Sequence, residues 1–150
     1  MAIAQSTYTD EIAKGYPGMV ANGETSNRIS RIVEQSGGIG FGKAVYRSSD
    51  QGVDTTEAAG TFLGFTIANY AAPAEQATGA VSDSYPEGST AGIMTQGVMW
   101  VQASAAVAAG AQVYVATDGS INSTDTNVIA DGWFFQDTTT ASGIVRIARR

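Results

Sequence analysis

Gln112-Val113-Tyr114-Val115-Ala116-Thr117-Asp118-Gly119 is the stretch whose reading decides the fold. β-Branched and aromatic residues fill a short run, and Asp-Gly, a strong two-residue hairpin signal, closes it. Gly110 stands just before the run, so it reads as a strand held between two turns. The same pattern of short run and turn continues outward on both sides. Toward the C-terminus come 128–135, with Trp133-Phe134-Phe135, and then 143–148. Toward the N-terminus lies 93–103, where Val98, Trp100 and Gln102 alternate with Met99, Val101 and Ala103. Farther back, 61–70 carries Phe62, Phe65, Ile67 and Tyr70, a run too apolar for an exposed surface, and Pro73 ends it. Residues 41–47 alternate without a purely apolar face and read as an edge strand. The stretch 75–92, rich in Ala, Ser, Gly and Pro, reads as a loop. Residues 103–109 are rich in the best helix former, but the run is bounded by Gly110 and falls short of the about 12 residues an isolated helix needs, so it reads as a loop or single turn. Strands recurring at short intervals with little helix define an all-β protein, a jelly-roll-like β-sandwich or barrel.

At 150 residues the chain suits one domain, able to bury roughly two-thirds of the surface its unfolded form exposes. Lys and Arg number 8 against 14 acids, a net charge of -6. That balance argues against nucleic acid as a partner, because phosphate contacts need a clustered basic surface. The adjacent Arg149-Arg150 reads as a solubilising strand end. No apolar run approaches the ~20 residues that cross a bilayer, and the N-terminus lacks a basic leader followed by an apolar stretch, so the reading is no membrane partner and synthesis in the cytoplasm.

Cysteine and histidine are both absent. This excludes Ser-His-Asp and Cys-His catalysis and removes the usual zinc and copper ligands, so neither a metal nor another cofactor is expected. A carboxylate pair, as in glycoside hydrolysis, is the enzymatic option left. Asp50, Asp54 and Glu57 form the closest acidic cluster, but their Ser, Gly and Thr neighbours make it a turn. Residues 118–125 are rich in oxygen side chains yet lack the spacing and final glutamate of a calcium loop. Gly37-Gly38-Ile39-Gly40 is not followed by Lys-Ser or Lys-Thr, and a strand rather than a helix comes after it, so it reads as a flexible joint.

The first forty residues differ from the rest. Ile3, Tyr8, Ile12, Tyr16, Met19 and Val20 are scattered among Thr, Ser, Asn and Gly without a period, and within the stretch only 28–34 resembles a short strand or helical turn. The expectation is an extended N-terminal arm, 1–40, ahead of a body, 41–150. Tyr8, Tyr16 and Tyr85 lie in unpatterned segments where tyrosine serves either as an interface anchor or as loop packing. Trp100, Trp133, Phe134, Phe135, Phe62 and Phe65 lie inside strand runs and are assigned to the core.

Several words, in order, carry a resemblance: Gly15-Tyr16-Pro17-Gly18-Met19, Asn27-Arg28-Ile29-Ser30, Gly40-Phe41-Gly42-Lys43-Ala44-Val45, Ala109-Gly110-Ala111-Gln112-Val113-Tyr114-Val115, then an aromatic strand and Ile144-Val145-Arg146-Ile147. Together they resemble the structural cement proteins that decorate tailed-bacteriophage capsids. The resemblance implies a homotrimer on the outer surface of the virion, bound to major capsid protein where its subunits meet on the expanded head. The residues expected to touch capsid or a sister protomer are Tyr8, Tyr16, Pro17, Met19, Arg28, Ile29 and Ile32. A head-fibre, spike or host-attachment module and a carboxylate-based glycan hydrolase are the alternatives.

Overall fold

The computed structural model describes residues 14–57, 60–69 and 83–150. Its strands are β1 (Asn27–Val33), β2 (Ile39–Gly40), β3 (Ala44–Arg47), β4 (Gly52–Asp54), β5 (Phe62–Thr66), β6 (Ser84–Tyr85), β7 (Thr90–Ala103), β8 (Gln112–Val115), β9 (Ile121–Asn122), β10 (Val128–Phe135) and β11 (Gly143–Arg149). No α-helix occurs among the described residues. The Asp118-Gly119 turn joins β8 to β9 through a three-residue loop rather than a two-residue one, with Gly119 alone at positive φ (+81°): Gly119 N–H donates to Ala116 O at 2.8 Å, Ala116 N–H donates to Ser120 O at 2.9 Å, and Asp118 Oδ1 accepts from Ser120 N–H at 2.9 Å.

β7 organises the chain. Its first half, to Gln96, pairs with β1, and β5 joins it at Ile93 and Met94, while β3 and β4 complete a circuit β1-β4-β3-β5-β7. Its second half, from Gly97, pairs with β11, and β10, β8 and β9 lead back to Ala103 in a second circuit. Going round a ring of five strands, directions cannot alternate throughout, so at least one neighbouring pair must run parallel. β1 with β4 and β9 with β7 are those pairs, one in each circuit. The expected β-barrel is therefore present in doubled form, two small rings built on one continuous strand.

Each ring encloses a core. Val33, Val45, Val53, Ala91 and Ile93 fill the first, closed at one end by Ile39, Phe41 and Tyr85. Met99, Val101, Val113, Val115, Trp133, Phe135, Val145 and Ile147 fill the second. The wall between them is apolar on both faces: Ala44, Phe65 and Met94 belong to the second core, whereas their neighbours Val45 and Ile93 belong to the first. Edge-to-face aromatic contacts run through it, from Tyr46 to Phe62 (5.8 Å), Phe62 to Phe65 (5.5 Å) and Phe65 to Trp133 (5.1 Å).

This two-faced wall explains where the structure departs from sequence expectation. The segment 41–47 is no edge strand, since β3 lies between β4 and β5 with Ala44, Val45 and Tyr46 all buried. A strand buried on both faces loses the alternation that would mark it from sequence. Pairing also begins earlier than the expected arm boundary at Gly40, because β1 hydrogen-bonds β7 and sends Ile29 and Val33 toward the first core. β7 starts at Thr90, inside the expected loop, because Thr90, Ala91 and Gly92 face β1. Tyr70 and Pro73 lie outside the described residues.

Candidate docking surface

The Gly15-Tyr16-Pro17-Gly18-Met19 word is a turn seated on the body. Met19 N–H donates to Tyr16 O at 3.1 Å to close it. The chain then runs along β7: Gly18 N–H donates to Trp100 O (2.8 Å), Trp100 N–H to Met19 O (2.8 Å) and Ala21 N–H to Val98 O (3.0 Å). β11 pairs with the same residues of β7, so Gly18 to Ala21 occupies the opposite edge of that strand. On the other side of the turn, Ala68 N–H donates to Gly18 O at 2.8 Å.

Two glycines make this seat possible. Gly18 has φ +85°, and a Cβ there would meet Ala68 N at 2.7 Å and Gly42 N at 3.0 Å. Gly42 has φ +67°, and a Cβ there would meet Gly18 N at 2.7 Å. Gly15 lies flat against the Trp100 indole, where a Cβ would come within 2.6 Å of the ring. Both φ values exclude other residues at low cost, and the close approach of backbone to backbone excludes them again.

Over the turn the surface is concave. Tyr16, Pro17, Gly40, Phe41, Lys43 and Asp83 line a cavity of about 470 Å³. Tyr16 is 38% exposed at its rim, and Lys43 is exposed while Phe41 is buried. Beside the cleft, Arg146 stacks its guanidinium 5.6 Å from the centre of the Trp100 ring and holds Asp137 through Nη2 (2.6 Å) and Nε (3.0 Å). The Arg146 hydrogen bond, with further help from its charge and that of Lys14, keeps the Asp137 carboxyl below the usual carboxylate range. Gly15 against Trp100, which Arg146 caps, places the start of the described chain on the outer face of the second ring.

The pair has a pH signature. Asp137 titrates lower in the folded protein than in the unfolded chain, so its contribution is complete at neutral pH, falls as the pH drops into the ordinary carboxylate range, and is lost below the folded value. Asp137→Asn is therefore expected to lower the urea midpoint at pH 7 and to approach the parent protein as the medium is acidified. A gap that stays constant with pH would show that the ion pair does not stabilise the fold.

The residues expected as contacts are distributed as follows. Tyr8 lies outside the described residues. Tyr16, Pro17 and Met19 cluster in the seated turn, with Tyr16 and Pro17 on the cleft. Arg28 and Ile32 lie on the outward face of β1, Ile32 being 44% exposed, whereas Ile29 turns inward and packs against the first core. Tyr85 is loop packing: it is buried against Phe41 and donates to Ile67 O at 2.6 Å. Burial raises its hydroxyl pKa above the usual range. Asp54 Oδ1 accepts from Thr56 N–H at 2.7 Å as a turn acid does, with Asp50 and Glu57 exposed beside it.

Two core assignments are corrected. Trp100 is only half-buried, on the outer face under Arg146 and Gly15, and Phe134 is 42% exposed. In β10, Trp133 and Phe135 point into the second core, so by alternation Phe134 between them faces outward, and a register shift around Gly132 (φ +76°) brings it to the same side as Ile129 and Asp131. That alternation was the available signal, masked in the sequence by three consecutive aromatics. Among the described residues no group of three or more His, Cys, Asp or Glu is placed to hold a metal ion.

A paired β-ring body with its N-terminal turn locked onto one face, beside an open cleft, defines a β-rich docking protein. The chain belongs to the family described as structural cement protein (E217 gp24/Pam3 gp6), which matches residues 4–150. It is a capsid-stabilising structural protein of a phage virion. No curated protein matches the sequence. Among solved structures, a chain from "The capsid of Myoviridae Phage XM1" is similar in fold, with a TM-score of 0.68 and 14% identity over 97% of each chain. A chain from "The crystal structure of head fiber gp8.5 N base in bacteriophage phi29" aligns with a TM-score of 0.46 and 9% identity over 84% of this chain and 95% of that one.

Proposed function

We propose that this protein binds the outer surface of the expanded head of a tailed bacteriophage as a homotrimer, at points where major capsid subunits meet, and acts there without catalysis. The observation that carries the reading is the family match over nearly the whole chain, residues 4–150. The seated turn supports it mechanistically. It holds Tyr16 and Pro17 at an open cleft on one outer face of the body, where a partner surface can reach them. Tyr8, Tyr16, Pro17, Met19, Arg28, Ile29 and Ile32 form the set for capsid or protomer contact in this reading. The absence of histidine and cysteine, and the turn geometry around Asp54, support a non-enzymatic role.

Binding only the expanded lattice stabilises it by mass action. At a free concentration one hundred times Kd, each site gains about 2.7 kcal/mol. The test adds purified protein to expanded heads that lack it and measures occupancy by electron cryomicroscopy and survival of osmotic shock. The full chain should occupy lattice junctions and raise survival. A chain lacking residues 1–13, with Tyr16→Ala, should lose most of its occupancy while melting near the parent temperature. Equal occupancy of the two proteins would remove the arm from the mechanism, and occupancy of one or a few sites per particle would favour a fibre.

A further inference from the structure

Two exposed strand faces of opposite charge lie on different rings of the molecule. On β1, Arg28, Ser30 and Ile32 are exposed. On β10, Ile129, Asp131 and Phe134 are exposed. Tyr16, Ile32, Ile129 and Phe134 are the large hydrophobic residues exposed by a third or more among the described residues, and Ile129 at 48% exceeds the others. Each strand face thus combines large apolar surface with a charge, basic on β1 and acidic on β10. Arg28 Nε donates to Ser26 Oγ, and neither Arg28 nor Asp131 forms an ion pair among the described residues.

We propose that β1 of one copy docks on β10 of the next, Ile32 against Phe134 with Arg28 facing Asp131, and that this contact closes the ring of copies. The proposed contact rests on the homotrimer reading and supplies the surfaces that trimer would use. Charge selects the arrangement. β1 against β1 would bring two basic strand faces together, and β10 against β10 two acidic ones, and like-charge juxtaposition is costly in an interface. The unlike pairing is head-to-tail, and head-to-tail contacts generate rings when the rotation closes. An apolar centre with a charged edge is also the usual anatomy of a protein interface.

The absence of cysteine permits a direct test. Ile32→Cys and Phe134→Cys are introduced singly and together, treated with a short bismaleimide in solution and on decorated heads, and separated under denaturing conditions. The double-cysteine protein should give linked dimers and a closed trimer, and each single variant only monomer. In that background Arg28→Glu and Asp131→Arg should each lower the linked fraction at limiting concentration, with apparent affinity down about ten-fold. The two reversals together should restore it. Dimers from Ile32→Cys alone, monomer only from the double-cysteine protein in both settings, or reversals without effect would overturn the proposal. Head occupancy of the same variants is read separately, so a failed ring contact is distinguishable from a failed capsid role.

Discussion

Trp133→Ala is expected to lower the unfolding free energy by about 3–5 kcal/mol, the cost of truncating a fully buried large aromatic. Trp133 is fully buried within the second ring and meets Phe65 edge-to-face at 5.1 Å, so its loss opens a cavity against the shared wall. Its indole Nε1 is buried without a hydrogen-bond partner in the structure. Trp133→Phe removes that unpaired donor along with part of the volume, and is expected to cost much less than the alanine variant. Urea unfolding followed by circular dichroism checks both. For a chain of this size the alanine variant should melt roughly 10 °C lower. If both variants cost the same, packing volume is not what Trp133 contributes.

Gly18→Ala and Gly42→Ala should each cost about 2–5 kcal/mol. A non-glycine residue at positive φ is strained by about 1–2 kcal/mol, and overpacking adds about 1–3. The new methyl groups meet main-chain atoms and Cβ atoms, Ala68 N, Phe41 Cβ and Gly42 N for Gly18 and Gly18 N, Pro17 C and Pro17 Cβ for Gly42, none of which a rotamer change can move. The two substitutions act on one contact, and the double variant should cost less than the sum of the singles. Strict additivity in denaturant titrations would show that the two glycines do not share the seat. Occupancy on heads should fall with stability of the seat, because Tyr16 and Pro17 are no longer held at the cleft.

Much of the body was legible because its signals are local. Asp118-Gly119 sets its hairpin within four residues, and 128–135 and 143–148 needed only a run of β-formers between turns. What stayed hidden depends on contacts distant in sequence. The turn word at 15–19 and the Gly40-Phe41-Gly42 word are each readable, but nothing in either says that Gly18 and Gly42 touch. Residues 41–47 show no clean alternation because Ala44 and Val45 serve different cores, a condition that exists only once two rings share a wall. Arg28-Ile29-Ser30-Arg31-Ile32-Val33 has its apolar residues at 29, 32 and 33, a spacing that fits a helical turn as well as a strand, and this together with its two arginines concealed that it closes the first ring. Of the residues expected as contacts, Tyr16, Arg28 and Ile32 are exposed, whereas the exposure of Phe134 required knowing which face of β10 looks outward.

The continuous strand β7 has a mechanical meaning. Its 14 residues at about 3.3 Å per residue make a strut of about 46 Å. Tension applied between the two rings is carried along its covalent backbone, and separating the rings requires shearing several hydrogen bonds to β1 and β11 together rather than opening them one at a time. The handover from one partner to the other falls between Gln96, the last residue paired with β1, and Gly97, the first paired with β11, whose φ is +133°. Compliance is thereby concentrated at a single residue. The two rings are thus joined by covalent backbone as well as by their shared wall.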